Sequence, residues 1–163
     1  QREVYLLQEF LRAHCAEAEV ATLIDLHSGL GAFGSELLFV DKDSEPSAPD
    51  FFSKLFGRPV SSADPNAGYY KNQGPLSDAI HHALPKTKLY YVLQEFGAHP
   101  GSFTLNALRE ENYEWHLRPK GAERPEKVRE KILEAFLPRD EGWRENALNL
   151  GELRWSQAEK SFV

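Results

Sequence analysis

The chain has 163 residues, 41% of them hydrophobic and 27% charged, which is one domain's worth of ordinary globular sequence with enough length for a real core. A formal charge of −6 excludes the basic footprint of a DNA- or RNA-binding protein. The single cysteine, Cys15, excludes an internal disulfide and a cysteine-rich metal site, and no apolar run approaches the roughly 20 residues of a membrane span.

Residues 1–16 predict a helix: Val4, Leu7 and Leu11 share one stripe, which Leu6 and Phe10 widen. Residues 20–26 predict a strand, β-branched and apolar between turn signals. The stretch 27–34 carries Gly29, Gly31 and Gly34 and predicts a loop; "SELLFV" at 35–40 predicts a second strand. The polar 41–49 segment, with Pro46 and Pro49, predicts an exposed loop, 50–56 a short helix, and 57–73 irregular chain. Residues 76–84 predict a helix stopped by Pro85, and "LYYVLQEF" at 89–96 is the clearest strand, ending at Gly97. Ser102 or Thr104 then caps a helix running to about residue 117. Pro125 suits the first turn of a helix over 125–137, with the stripe Val128, Ile132, Ala135 and Phe136. A final helical stretch covers 140–162, with an interruption expected at Gly151 and with Trp143 and Trp155 as packing residues.

Helices alternating with strands imply an α/β fold, and near-continuous apolar strands imply a sheet covered on both faces. The expected architecture is a three-layer α/β/α sandwich with a mainly parallel or mixed central sheet. It forms a single domain over 1–163, with 124–163 as a helical segment packed on it. Sites in such folds form beyond the strands' carboxyl ends. Two strands here end in ionisable chemistry, "LIDLHSG" and "YVLQEFG".

His27 offers a neutral ring nitrogen to a metal. Asp25, two residues earlier on the same strand face, offers a hydrogen bond to the other ring nitrogen. The residues alone leave open the plainer reading, in which both bond loop backbone. Glu95, near the end of a buried strand, is placed to be a general base with a pKa raised by desolvation, or else an ion-pair partner. His99 either lines the same crevice or is a solvated loop residue. Tyr69 and Tyr70 either lid the core or touch a substrate. His81 and His82, adjacent on a helix, point about 100° apart and cannot readily grip one ion. No HExxH, P-loop, G-x-S-x-G or GxGxxG motif is present, and "SGLGAFG" does not have a nucleotide fingerprint's spacing.

"LIDLHSGLGAFG" resembles the segment around the third zinc ligand of the zinc carboxypeptidase superfamily, where an apolar strand ends in His-Ser. "YYVLQEFGAHP" resembles the later strand ending in that family's catalytic glutamate. The order also matches: ligand histidine, tyrosine-bearing loop, short helix, glutamate strand. The nearest likeness is a bacterial-type carboxypeptidase-like branch neighbouring aspartoacylase and succinylglutamate desuccinylase. It covers about residues 1–115 well and the C-terminal helices less specifically. The resemblance implies that His27 is the third zinc ligand and that Glu95 is the base that activates zinc-bound water and then protonates the leaving nitrogen. In "YYKNQGPLSD" it implies that Tyr70 is the substrate-contacting phenol, with Tyr69 as the alternative. Tyr69 and His99 are further candidates for substrate contact.

The sequence departs from the family pattern upstream. The first two zinc ligands come from a His-x-x-Glu motif before the third, and nothing stands here to supply them. With the missing initiator Met, this implies the C-terminal part of a larger catalytic domain, inactive alone, with an exposed sheet edge. The implied function is zinc-dependent hydrolysis of an amide bond in a small peptide or N-acyl amino acid, with one zinc ion and neither nucleic acid nor membrane as partner. No signal peptide is visible, so a cytoplasmic location is expected. The rival reading is a non-catalytic α/β binding module that has lost its zinc site. A third, a glycosidase using Asp25 and Glu95, is disfavoured by a chain too short for a barrel enzyme.

Overall fold

The computed structural model describes residues 2–41, 44–62, 75–119, 121–123 and 125–162. In chain order the elements are α1 (Arg2–Cys15), β1 (Val20–Ser28), β2 (Glu36–Val40), α2 (Ala48–Phe56), β3 (Ser61–Ser62), α3 (Leu76–Ala83), β4 (Lys88–Phe96), α4 (Gly101–Leu117), α5 (Glu126–Phe136) and α6 (Glu141–Glu159), followed by a 3-10 turn. The strands form one sheet in the order β1-β4-β2-β3. β1 and β4 run parallel: the Lys88 amide donates to Glu19 O where they start, and the Gly29 amide to Phe96 O where they end. β2 runs antiparallel to β4, since Gly97 N–H reaches Ser35 O and Glu45 N–H reaches Leu89 O. β3 pairs parallel with β2, with Phe39 opposite Ser61 and Val40 opposite Ser62. The fold is therefore α/β with a mixed, mostly parallel sheet. Among the described residues no helix is long and apolar enough to cross a membrane.

The chain divides into two compact units. The first comprises Gln1–Asp25, Leu38–Leu93 and Ser156–Val163; the second comprises Leu26–Leu37 and Gln94–Trp155. In the first, strand alternation sorts side chains onto two faces. Leu38, Val40 and Val92 pack against Ala48, Phe52 and Phe56, which recur every four residues along α2. Leu89, Tyr91, Ala21 and Leu23 point the other way and pack against Leu7 and Leu11 of α1 and Ile80 and Ala83 of α3. Helices thus cover both faces. α2 carries Pro49 in its first turn and ends at Gly57, whose φ of 64° suits a residue without a Cβ. The apolar stripe of α1 is narrower than its sequence implies: Leu6 and Phe10 are 54% and 57% exposed. Each lies one residue, about 100°, from the Leu7–Leu11 line and rotates away from the sheet.

In the second unit Phe96 and Ala98 pack against Trp143, Ala147 and Leu150 of α6. α6 runs unbroken through Gly151, so the glycine does not interrupt the helix; an added Cβ there would make only an ordinary contact, 3.9 Å from the Phe96 ring. Trp155 is 66% exposed, and the buried residue beside it is Arg154. The two-residue β3 falls inside a stretch expected to be irregular; it is too short to leave a period-2 pattern.

Candidate active site at two strand ends

Because β1 and β4 are parallel neighbours, their carboxyl ends share one edge of the sheet. His27 is the penultimate residue of β1 and Glu95 the penultimate residue of β4. His27 Nδ1 lies 4.0 Å from Glu95 Oε2. The two side chains differ sharply in environment: His27 is 46% exposed and Glu95 only 6%. A buried carboxylate needs partners, and the Leu30 amide donates to Glu95 Oε1 at 2.9 Å.

That amide is aimed by the glycine loop. Gly29 and Gly31 have φ of 130° and 116°, conformations that side chains rarely adopt. The loop is pinned from three helices. Ser28 Oγ donates to the carbonyl of Phe136, the last residue of α5, Thr104 Oγ1 of α4 to Gly29 O, and Asn146 Nδ2 of α6 to Gly34 O. Trp143 Nε1 donates to Gly97 O, which also accepts from the Gly34 amide. None of these clamps was visible as a site residue in the sequence; Thr104 stood out only as a helix-cap candidate.

Gly97 is the tightest point. A Cβ there would overlap the Ala32 carbonyl oxygen and stand 2.5 Å from Ser35 Oγ. Backbone cannot rotate out of the way as a side chain does. Gly97→Ala should therefore destabilise the protein by about 1–3 kcal/mol, the usual range for overpacking. Urea denaturation checks this; an unchanged midpoint would mean that the loop has room to shift.

The remaining candidates are dispersed. Asp25 accepts a hydrogen bond from the hydroxyl of Tyr91. Burial first, then that bond and the negative charges of Asp25 and Asp41, hold the Tyr91 phenol well above its ordinary pKa, so it stays a donor. His99 Nε2 lies 3.3 Å from Glu134 Oε1, and its ring packs against Phe103 and edge-on to Phe33. Tyr69 and Tyr70 lie outside the described residues. His82 Nδ1 is 2.6 Å from the Asp78 carbonyl, one helical turn back.

Zinc fits these residues only in part. Catalytic zinc takes three protein ligands, and among the described residues no group of three His, Cys, Asp or Glu is placed to hold a metal ion. His27, on the exposed lip of the sheet, fits as one ligand.

Searches of curated proteins and of solved structures return no match. A family model matches residues 1–150, a span that takes in both strand ends, the glycine loop and all four of its clamping partners, Thr104, Phe136, Trp143 and Asn146. The chain accordingly belongs to the family described as "Protein of unknown function (DUF2817)".

Proposed function

We propose that His27 and Glu95 are part of the active site of a zinc-dependent amide hydrolase acting on a small peptide or an N-acyl amino acid. One observation carries this reading: an exposed imidazole and a buried, hydrogen-bonded carboxylate stand 4.0 Å apart at the carboxyl ends of parallel neighbouring strands. Glu95 is the base. As the water oxygen attacks the carbonyl carbon, one of its protons passes to Glu95 Oε2. When the C–N bond breaks, that proton goes to the leaving nitrogen. The Leu30 amide donates to the other oxygen and so fixes the orientation of the carboxylate. His27 would hold zinc through a neutral ring nitrogen, with the other two ligands supplied from outside the described residues. Zinc bound there would polarise the carbonyl and lower the pKa of the attacking water. Tyr70, or else Tyr69, and His99 contact the substrate in this reading.

Zinc binding tests the ligand set. Titrated by calorimetry, residues 1–163 alone should bind zinc weakly. The intact protein should bind one ion tightly and lose it on His27→Ala. Tight one-to-one binding by the isolated residues would sink the proposed ligand set. Zinc-loaded intact protein that hydrolyses nothing in a panel of short peptides and N-acyl amino acids would favour a non-catalytic binding module.

A further inference from the structure

We propose that Thr104 is a positioning residue for Glu95, acting through the peptide that joins Gly29 to Leu30. This rests on Glu95 being the base of the reaction proposed above. Two hydrogen bonds already described meet on one peptide plane. Thr104 Oγ1 donates to the Gly29 carbonyl oxygen at 3.2 Å, and the Leu30 N–H of the same peptide donates to Glu95 Oε1 at 2.9 Å. The two bonds run in series from hydroxyl to carboxylate. Donation at the carbonyl end polarises the peptide and strengthens its N–H as a donor.

Packing confines Gly29 where a side chain would stand: a Cβ there would lie 2.8 Å from the Phe136 ring and 3.7 Å from the Thr104 methyl. The carbonyl end of the peptide is fixed by the Thr104 hydroxyl. The Gly29 amide is itself tied to Phe96 O, the carbonyl next in sequence to Glu95. Thr104 is 3% exposed, so water does not readily replace its hydroxyl. Its methyl packs the glycine and its hydroxyl sets the peptide. This use of both halves of the side chain explains a β-branched polar residue in the buried second turn of α4, where helix propensity alone would favour alanine. Loss of the hydroxyl frees the Gly29–Leu30 peptide to tilt and lets the Glu95 carboxylate rotate away from the water it must deprotonate.

The test uses Thr104→Val, which keeps the shape and removes the donor, and Thr104→Ser, which keeps the donor. Both are made in the intact, zinc-loaded protein. In nitrogen-15-labelled samples the Leu30 amide proton should move upfield in the valine variant and stay near its original position in the serine variant. On a substrate the parent cleaves, kcat should fall roughly tenfold in Thr104→Val with KM little changed, the low end of what losing an outer-shell hydrogen bond costs at metal sites. Thr104→Ser should recover most of it. An unmoved Leu30 resonance, an unchanged kcat, or a loss that serine does not rescue each overturns the positioning role. The underlying reading fails separately: if Glu95→Gln keeps its turnover while the Leu30 resonance still responds to Thr104, the hydrogen-bond relay stands and the assignment of the base does not.

Discussion

Replacing Glu95 with glutamine should cut turnover by about 10²–10⁴-fold, the range for loss of a general base, while leaving fold and metal content nearly unchanged. Glutamine matches glutamate in shape, and its amide oxygen can still accept the Leu30 N–H that holds the carboxylate. The loss is therefore one of chemistry: an amide cannot take a proton from water. Burial also keeps solvent from supplying a substitute base at this position. His27→Ala should behave differently, losing metal and activity together, because its ring is a ligand in this reading. Tyr70→Phe should do less than either, since a contact phenol mainly positions substrate. The assay is turnover on short peptides and N-acyl amino acids, with zinc measured on every variant. Full turnover by Glu95→Gln on a substrate the parent cleaves would make Glu95 structural and hand the proton to another group.

The meeting of His27 and Glu95 was legible in the sequence because it needs little information. Two apolar runs, each ending in an ionisable residue and a turn, converge whenever their strands are parallel neighbours. Period and composition also placed the main helices and three of the four strands within a few residues, since each buries one repeating apolar face. What holds the site together was not legible. The partners of the glycine loop stand 75, 108 and 112 residues away in sequence, and a hydroxyl or amide that bonds a distant carbonyl has no local signature. The same limit applies to Trp143 and Trp155. Both are large aromatics on one helix, yet one is buried with its indole N–H on Gly97 O and the other faces outward. With charged residues on every side, α6 has too weak an apolar periodicity to say which face turns inward. Arg154 was hidden for a related reason: arginine reads as surface unless a buried carboxylate waits for it.

That carboxylate is Glu36, and breaking its pair with Arg154 should be the most damaging single change outside the strand ends. Arg154 Nε donates to Glu36 Oε1 at 2.9 Å and Nη2 to Oε2 at 2.6 Å, a two-pronged bond with both side chains more than nine-tenths buried. Gln94 Nε2 adds the carboxylate's third donor, also at Oε1, and reaches Leu150 O as well. Arg154→Met fills much of the same space but strips a buried carboxylate of its cation, which typically costs about 3–5 kcal/mol. Arg154→Met combined with Glu36→Leu should recover much of that loss, because the penalty lies in the stranded charge rather than in the missing attraction. The damage should also reach the site. The helix that carries Arg154 also carries Trp143 and Asn146, which bond Gly97 O and Gly34 O. Loosening it should speed hydrogen exchange at the Gly34 amide, which donates to Gly97 O. Denaturant midpoints for the single and double variants, with exchange followed at Gly34, separate the outcomes. A single variant within about 1 kcal/mol of the parent would mean that Glu36 gives up its charge or finds other partners. A destabilised variant with unchanged exchange at Gly34 would mean that the loop is held independently of the ion pair.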